Sequence, residues 1–231
     1  MSEKQENFTL LDGRVTMVRS IYNPTSDAVW LAAYAPTDKN IKTVLDVGVG
    51  SGGVALCLMN HMPDIDVTGI DISDEMLEVC QKNADLNNRK IRLEIQDILK
   101  WSTPERFDLV VTNPPYFWGT PSTKKQSAHH NVDMHSWIKK SAARVMTTGY
   151  FCTIVDAGCA DIVIACLNDR HFGEIQVFPL FSTKNTAERV LIRAKNCCRT
   201  GASFYRGTSM NNDAVLRDGL TIDSLLSRME S

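Results

Sequence analysis

Asn113-Pro114-Pro115-Tyr116-Phe117 sets two oxygen acceptors beside two aromatic rings. The Asn113 side chain offers a carbonyl, and proline locks φ so that the Pro114 backbone carbonyl keeps a fixed direction. Two acceptors aimed at one NH₂ group turn its nitrogen lone pair toward an electrophile and stabilise the charge that grows as a bond forms. Tyr116 can stack on a planar acceptor, and Phe117 can join it or pack beneath the loop. No general base is required, because the nitrogen can shed its proton after the new bond has formed. Elsewhere in a chain the same five residues would read as a diproline turn with aromatic packing, so their meaning rests on what surrounds them.

Upstream, Val44-Leu45-Asp46-Val47-Gly48-Val49-Gly50-Ser51-Gly52-Gly53 carries an apolar run into a glycine-rich turn. Glycines let the backbone turn sharply and let a ligand approach without meeting a Cβ. Such a turn alone is compatible with NAD, FAD or S-adenosylmethionine, or with a plain tight turn. Asp46 discriminates between them: a carboxylate just before the glycines repels a pyrophosphate and attracts the cationic amino group of a methionine moiety. Asp71 ends the next apolar run, where a carboxylate can accept hydrogen bonds from both ribose hydroxyls, and Asp97 follows the third, placed for an adenine amino group. Aspartates also cap helices and solubilise loops. Three at successive strand ends, however, converge on the crevice where open α/β sheets hold ligands. The cofactor implied is S-adenosylmethionine, with Asp46, Gly48, Gly50, Asp71 and Asp97 around it.

The elements that must position these residues follow from alternating patterns. Strands are expected at 43–47, 66–70, 91–95 and 107–112, with helices at 53–60 and 74–86, the signature of a parallel sheet covered on both faces. Residues 8–11 and 14–18 flank Asp12-Gly13 as a hairpin, and a helix over 28–35, capped by Ser26 or Asp27, stops at Pro36. The stretch 113–131 is polar, bears Pro and Gly, and is too long for a mere connection. A helix over 134–146, a turn at Gly149-Tyr150, a strand over 151–155, a helix over 162–169 and antiparallel strands over 174–179 and 188–194 complete the pattern. The expected fold is doubly wound α/β with a seven-stranded, mostly parallel sheet. Residues 1–40 form a cap, 41–196 the main domain, and 197–231 a C-terminal extension without assigned elements.

The chain has 231 residues, 43% hydrophobic and 23% charged, which excludes disordered, collagen-like and coiled-coil classes. The most apolar stretch, 151–167, is broken by Asp156 and Asp161, so no membrane span is expected. No secretory segment is visible at the N-terminal end, and a cytoplasmic location is expected. Seven cysteines without paired metal spacing read as reduced thiols; Cys197 and Cys198 are adjacent and would bridge only with strain. His129, His130 and His135 lack a carboxylate or thiolate to complete a metal site, so no metal is expected. Net charge is −2, yet 184–206 holds six basic residues, Arg189 among them, against Glu188. That segment can grip phosphates or can be a strand and loop with solvated charges. Lys124 and Lys125 lie in the long loop that follows Tyr116, at the expected mouth of the site.

These motifs resemble the N-P-P-Y amino methyltransferases, which modify adenine, guanine or glutamine nitrogen. The chain is most similar to the bacterial tRNA(Val) (adenine-N6)-methyltransferase family. The resemblance runs from about Phe8 to Ala194 through Thr25-Ser26-Asp27, the glycine-rich turn, Asn113-Pro114-Pro115-Tyr116-Phe117 and Glu188-Arg189-Val190-Leu191-Ile192-Arg193. It implies a class I, Rossmann-like methyltransferase. Asp46, Gly48, Gly50, Asp71, Asp97 and Asn113 would meet the cofactor, Thr25 and Asp27 would line it from the cap, and Asn113 to Tyr116 would do the chemistry. Tyr116, Phe117, Lys124, Lys125 and Arg189 would contact the acceptor, expected to be adenine N6 in tRNA, whose anticodon-loop bases are already partly exposed. The competing readings are a protein glutamine-N5 methyltransferase, disfavoured by the lack of an N-terminal helical docking domain, and a non-catalytic RNA-binding subunit, disfavoured by the intact Asp46, Gly48, Gly50 and Asn113. Oligomeric state is not legible.

Overall fold

The structure, a computed structural model, describes residues 6–20, 23–115 and 133–229. A hairpin, β1 (Asn7–Leu10) and β2 (Val15–Val18), turns through Leu11, Asp12 and Gly13, all at positive φ. Helix α1 (Ser26–Tyr34) follows. Its cap is Thr25, one residue earlier than expected, because the Thr25 hydroxyl accepts the Asp27 N–H at 3.4 Å. Then come β3 (Thr43–Val47), α2 (Gly53–His61), β4 (Asp66–Asp71), α3 (Asp74–Leu86), β5 (Ile91–Ile95) and β6 (Phe107–Thr112), within one or two residues of the sequence pattern. The second half adds α4 (Met134–Ala142), β7 (Val145–Asp156), α5 (Ala160–Asn168), β8 (Phe172–Phe181) and β9 (Arg189–Asn196).

The strands lie in the order β8-β9-β7-β6-β3-β4-β5, with β9 antiparallel to both neighbours and β7, β6, β3, β4 and β5 mutually parallel. The chain runs outward from β3 to β5, then returns to β6 on the other side of β3. The crevice beyond the ends of β3 and β6 is therefore the topological switch point, where open sheets of this kind bind ligands. Side chains alternate across the sheet: Val44 joins a core with Trp30, Leu31, Leu56 and Leu58, while Leu45 and Val47 join one with Ile138, Val163 and Leu167. Both faces are buried, which accounts for the nearly continuous apolar runs.

Two expectations need correction. The helix over 134–146 ends at Ala142, and the turn at Gly149-Tyr150 lies inside β7. The ladder between β6 and β7 shifts register, with Phe107 opposite Val145 but Leu109 opposite Tyr150. Thr148 sits at φ 66°, and a Cβ on Gly149 would lie 2.7 Å from the Asp108 carbonyl oxygen. The residues that resemble a turn form a bulge, and the strand continues through it.

The tail has regular structure. Short strands β10 (Ser203–Phe204) and β11 (Thr208–Ser209) pair with β8, and helices α6 (Asp213–Leu216) and α7 (Ile222–Met229) fold back onto α1. Val215 and Ile222 are fully buried in the same core as Trp30, whose indole N–H donates to the Met210 carbonyl at 3.1 Å. Arg193, 13% exposed, donates to Asp223 at 2.7 Å, to Gln176 at 2.7 Å and to the Tyr34 carbonyl at 3.1 Å. Removing Asp223 strands part of that guanidinium in a dry setting. Because Asp223 is itself partly exposed, Asp223→Ala is expected to cost about 1–2 kcal/mol, a fall in melting temperature of about 2–8 °C. Thermal denaturation followed by circular dichroism measures it, and an unchanged midpoint would show that the pair does not anchor the tail.

Candidate active site

Four polar residues that the sequence singles out stand at or just beyond the ends of four adjacent strands: Asn113 after β6, Asp46 in β3, Asp71 at the end of β4 and Asp97 after β5. Between β3 and α2 the backbone bends back on itself. Gly48 and Val49 donate to the Ile70 carbonyl at 2.9 and 3.0 Å, and Gly48 and Gly50 take φ of 74° and 53°. The Gly50 N–H donates to Asp71 Oδ2 at 3.0 Å while Asp71 Oδ1 accepts from Ser73 at 3.0 Å, so the Asp71 carboxylate braces the turn. Among the described residues, and apart from its two chain neighbours, nothing lies within 4 Å of where a Gly50 Cβ would stand.

Asp46 is 1% exposed, and its Oδ2 has no hydrogen-bond partner among the described residues. Burial pushes its pKa up to about 7, against the relief of the Ala55 backbone N–H and reinforced by the nearby Asp71 charge. A buried carboxylate with an unmatched oxygen is costly unless a cation reaches it. Asn113 repeats the motif: its Oδ1 is buried and unpartnered among the described residues, with Pro114 buried and Pro115 half-buried beside it.

Sequence reasoning missed the residues that hold these two acceptors in register. The Thr112 hydroxyl donates to the Val47 carbonyl at 2.9 Å and accepts the Trp137 indole N–H at 3.0 Å, while the Thr153 hydroxyl donates to the Thr112 carbonyl at 2.9 Å. The Trp137 ring edge covers Gly48, 3.3 Å from where a Cβ would be. On the other side, fully buried Asn83 accepts the Val18 N–H at 2.7 Å and donates to the Ser51 carbonyl at 2.8 Å, tying hairpin to glycine turn. Only Thr112, next to Asn113, carried a local signal. The others act across long sequence separations.

Other candidates are placed differently. Asp97 is half-buried and turns one oxygen to the Leu99 N–H at 3.0 Å, with Lys100 3.4 Å from the other. Asp27 and Arg189, expected on the cofactor and on the acceptor, meet each other at 3.3 Å, and Arg189 also reaches Asp156 at 3.2 Å. Thr25 spends its hydroxyl on the helix cap. Tyr116, Phe117, Lys124, Lys125, His129 and His130 lie outside the described residues. His135 is exposed at the start of α4. Among the described residues no group of His, Cys, Asp or Glu is arranged to hold a metal ion, and no helix is long and apolar enough to cross a membrane.

The sequence profile of the methyltransferase small domain family matches residues 30–178, from α1 through β8. The chain belongs to that family. It is 31% identical over 141 residues to a protein of Flavobacteriaceae bacterium (strain 3519-10) and 28% identical over 176 residues to one of Bacteroides thetaiotaomicron, both named tRNA1(Val) (adenine(37)-N6)-methyltransferase. The matches take in 59% and 72% of this chain, and they span 61% and 74% of those relatives. Among solved structures, a protein described as a predicted O-methyltransferase from Agrobacterium tumefaciens superposes with a TM-score of 0.67 at 20% identity, over 86% of this chain and 96% of that one. The fold is thus that of the class I methyltransferases, and the crevice at the β3–β6 switch point is the place where this family's architecture leaves its ligand-binding ends.

Asp46 makes the site's electrostatics testable without substrate. With its pKa raised from the ordinary aspartate value of 3.8 to about 7, the folded protein holds a proton that the unfolded chain has released between those limits. The ligand-free fold therefore loses stability as pH rises through that window and stays at its lower value above it. Asp46→Asn is expected to melt higher than the parent at pH 8, by a margin that shrinks toward pH 4. Equal melting temperatures at both pH values would show that the carboxylate carries no burial cost.

Proposed function

We propose that this protein methylates the exocyclic amino nitrogen of a nucleobase with S-adenosylmethionine, the acceptor being adenine N6 in tRNA within the cytoplasm. The observation that carries the reading is the Asn113 carbonyl oxygen, buried and without a partner among the described residues, beside Pro114 at the end of β6. Support comes from the relatives named as tRNA adenine-N6 methyltransferases and from the family to which the chain belongs.

The residues present fit the cofactor. The unmatched Asp46 Oδ2 suits its ammonium group, and the open approach over Gly50 suits a ligand lying against the backbone. Asp71 and Asp97 stand on the next two strands for ribose and adenine. S-adenosylmethionine supplies, when bound, a methyl group on a cationic sulfur. Asn113 Oδ1 and the Pro114 carbonyl oxygen accept the two N–H bonds of the acceptor and point its lone pair at that carbon. Both oxygens also stabilise the positive charge that develops on nitrogen. Transfer would form the N–C bond as the S–CH₃ bond breaks, its electron pair staying on sulfur as a neutral thioether, and the surplus proton then passes from nitrogen to solvent, so no side chain has to act as base.

The deciding experiment transfers labelled methyl from S-adenosylmethionine to total tRNA from cells lacking this protein, with digestion to nucleosides. Labelled N6-methyladenosine is the expected product; label confined to glutamine in a protein fraction would replace this reading with glutamine-N5 methylation. Asn113→Ala is expected to bind S-adenosylmethionine with parental affinity and to lose turnover by about 100-fold or more, the scale of losing one preorganised transition-state contact. Calorimetry and single-turnover rates measure the two, and undiminished turnover would remove Asn113 from the mechanism.

A further inference from the structure

Six cations lie between residues 184 and 206, and the fold divides them into two sets. Arg189 and Arg193 are held by Asp27, Asp156 and Asp223, and Lys195 sits 5.3 Å from the Tyr150 ring centroid. Lys184, Arg199 and Arg206 are exposed, and none has an ion pair among the described residues. These three frame the strip that adds β10 and β11 to the outer edge of the sheet. Ser203 and Phe204 pair with Gln176 and Val177, and Thr208 and Ser209 with Leu180 and Phe181, so the strip follows β8 for about 16 Å at the usual rise per residue. Within it the aromatics alternate. Tyr205 packs inward, 6.2 Å from the Phe178 ring centroid, whereas Phe204 turns outward at 70% exposure, the highest among the exposed large hydrophobic residues described.

The direction of the strip matters. β8 runs parallel to β7, with β9 antiparallel between them, so Leu180 and Phe181 lie at the same end of the sheet as Thr112 and Asn113. Lys184 stands in the turn just beyond. An outward aromatic between exposed arginines, leading toward the end of the sheet where Asn113 stands, has the chemistry of single-stranded nucleic-acid binding: rings stack on bases and cations track phosphates. Glu174 stands at the Arg199 end of the strip, its backbone N–H donating to the Thr200 carbonyl, and Glu188 accepts the Ser182 hydroxyl; neither forms an ion pair with Lys184, Arg199 or Arg206 among the described residues.

We propose that this edge docks an unpaired segment of the RNA substrate, with Phe204 stacked on a base and Arg199, Arg206 and Lys184 against phosphates. The inference rests on the proposed function and adds where the RNA lies. A second copy of the chain is the other partner an open edge can take, and the test separates the two.

The full chain would be titrated into fluorescently labelled total tRNA at several salt concentrations. Phe204→Ala is expected to weaken binding about tenfold. The double variant Arg199→Glu/Arg206→Glu should weaken it further and flatten the plot of log affinity against log salt by about 1–2. Lys82→Glu, an exposed lysine on α3, changes charge equally per site and should bind like the parent. Melting temperature and S-adenosylmethionine affinity should be unchanged throughout. Parental RNA affinity in the edge variants, from a protein that methylates tRNA, would overturn this inference and leave the proposed function standing. The same result accompanied by a smaller sedimenting species would assign the edge to self-association instead. A parent protein that neither binds nor methylates RNA would overturn both.

Discussion

A carboxylate with one unmatched oxygen, sealed inside the end of the central strand, is the constraint around which this molecule is organised. Asp46 is buried in the central strand, where the Ala55 backbone N–H relieves its charge and a second carboxylate, Asp71, lies nearby. Such a group is tolerated only where the rest of the fold is stable enough to carry its cost. Two apolar cores, one on each face of the sheet, supply that stability. Under the proposed function that cost is what favours the cofactor's ammonium group, because a cation that reaches Oδ2 recovers interaction energy in a medium with little water to weaken it.

Asn113 depends on the same arrangement. It follows β6, the parallel neighbour of β3, and the two strands are locked in register with Val47 opposite Thr112. Thr112 bonds the β3 backbone, and Trp137 bonds Thr112 while covering Gly48, so one indole touches the supports of both acceptors. The proposed transfer, which needs methyl donor and amino acceptor aligned in van der Waals contact, demands such rigidity. Asn83 does comparable work on the opposite side by fastening the N-terminal hairpin to the glycine turn.

The cationic segment shows how tertiary structure reassigns residues of one type. Its arginines and lysines are indistinguishable by composition, yet Arg193 is an internal strut of the tail, Arg189 closes a pair with Asp27, and Arg199 and Arg206 are left at the rim. Which role each takes depends on where the fold sets it: Arg189 and Arg193 lie in β9 beside acids, whereas Arg199 and Arg206 lie in the connections that flank β10. Asp27 and Arg189 had separate roles in the sequence reading; 162 residues apart in the chain, they are partners in the fold.

The amino-acid sequence by itself determined the alternating strands and helices of the first half and the ends at which Asp46, Asp71, Asp97 and Asn113 stand. Those features are local, written in apolar runs of strand length, in glycines where φ is positive and in prolines that fix a carbonyl. The bulge in β7 was illegible because Thr148 and Gly149 look like turn residues unless their partners on β6 are known. The tail was illegible because its short elements exist only against β8 and α1. Tertiary structure alone decided that Asp46 and Asn113 keep oxygens unpaired among the described residues and that Trp137 stands over Gly48, since burial and hydrogen-bond satisfaction belong to no residue's own neighbourhood but to what the rest of the chain leaves beside it.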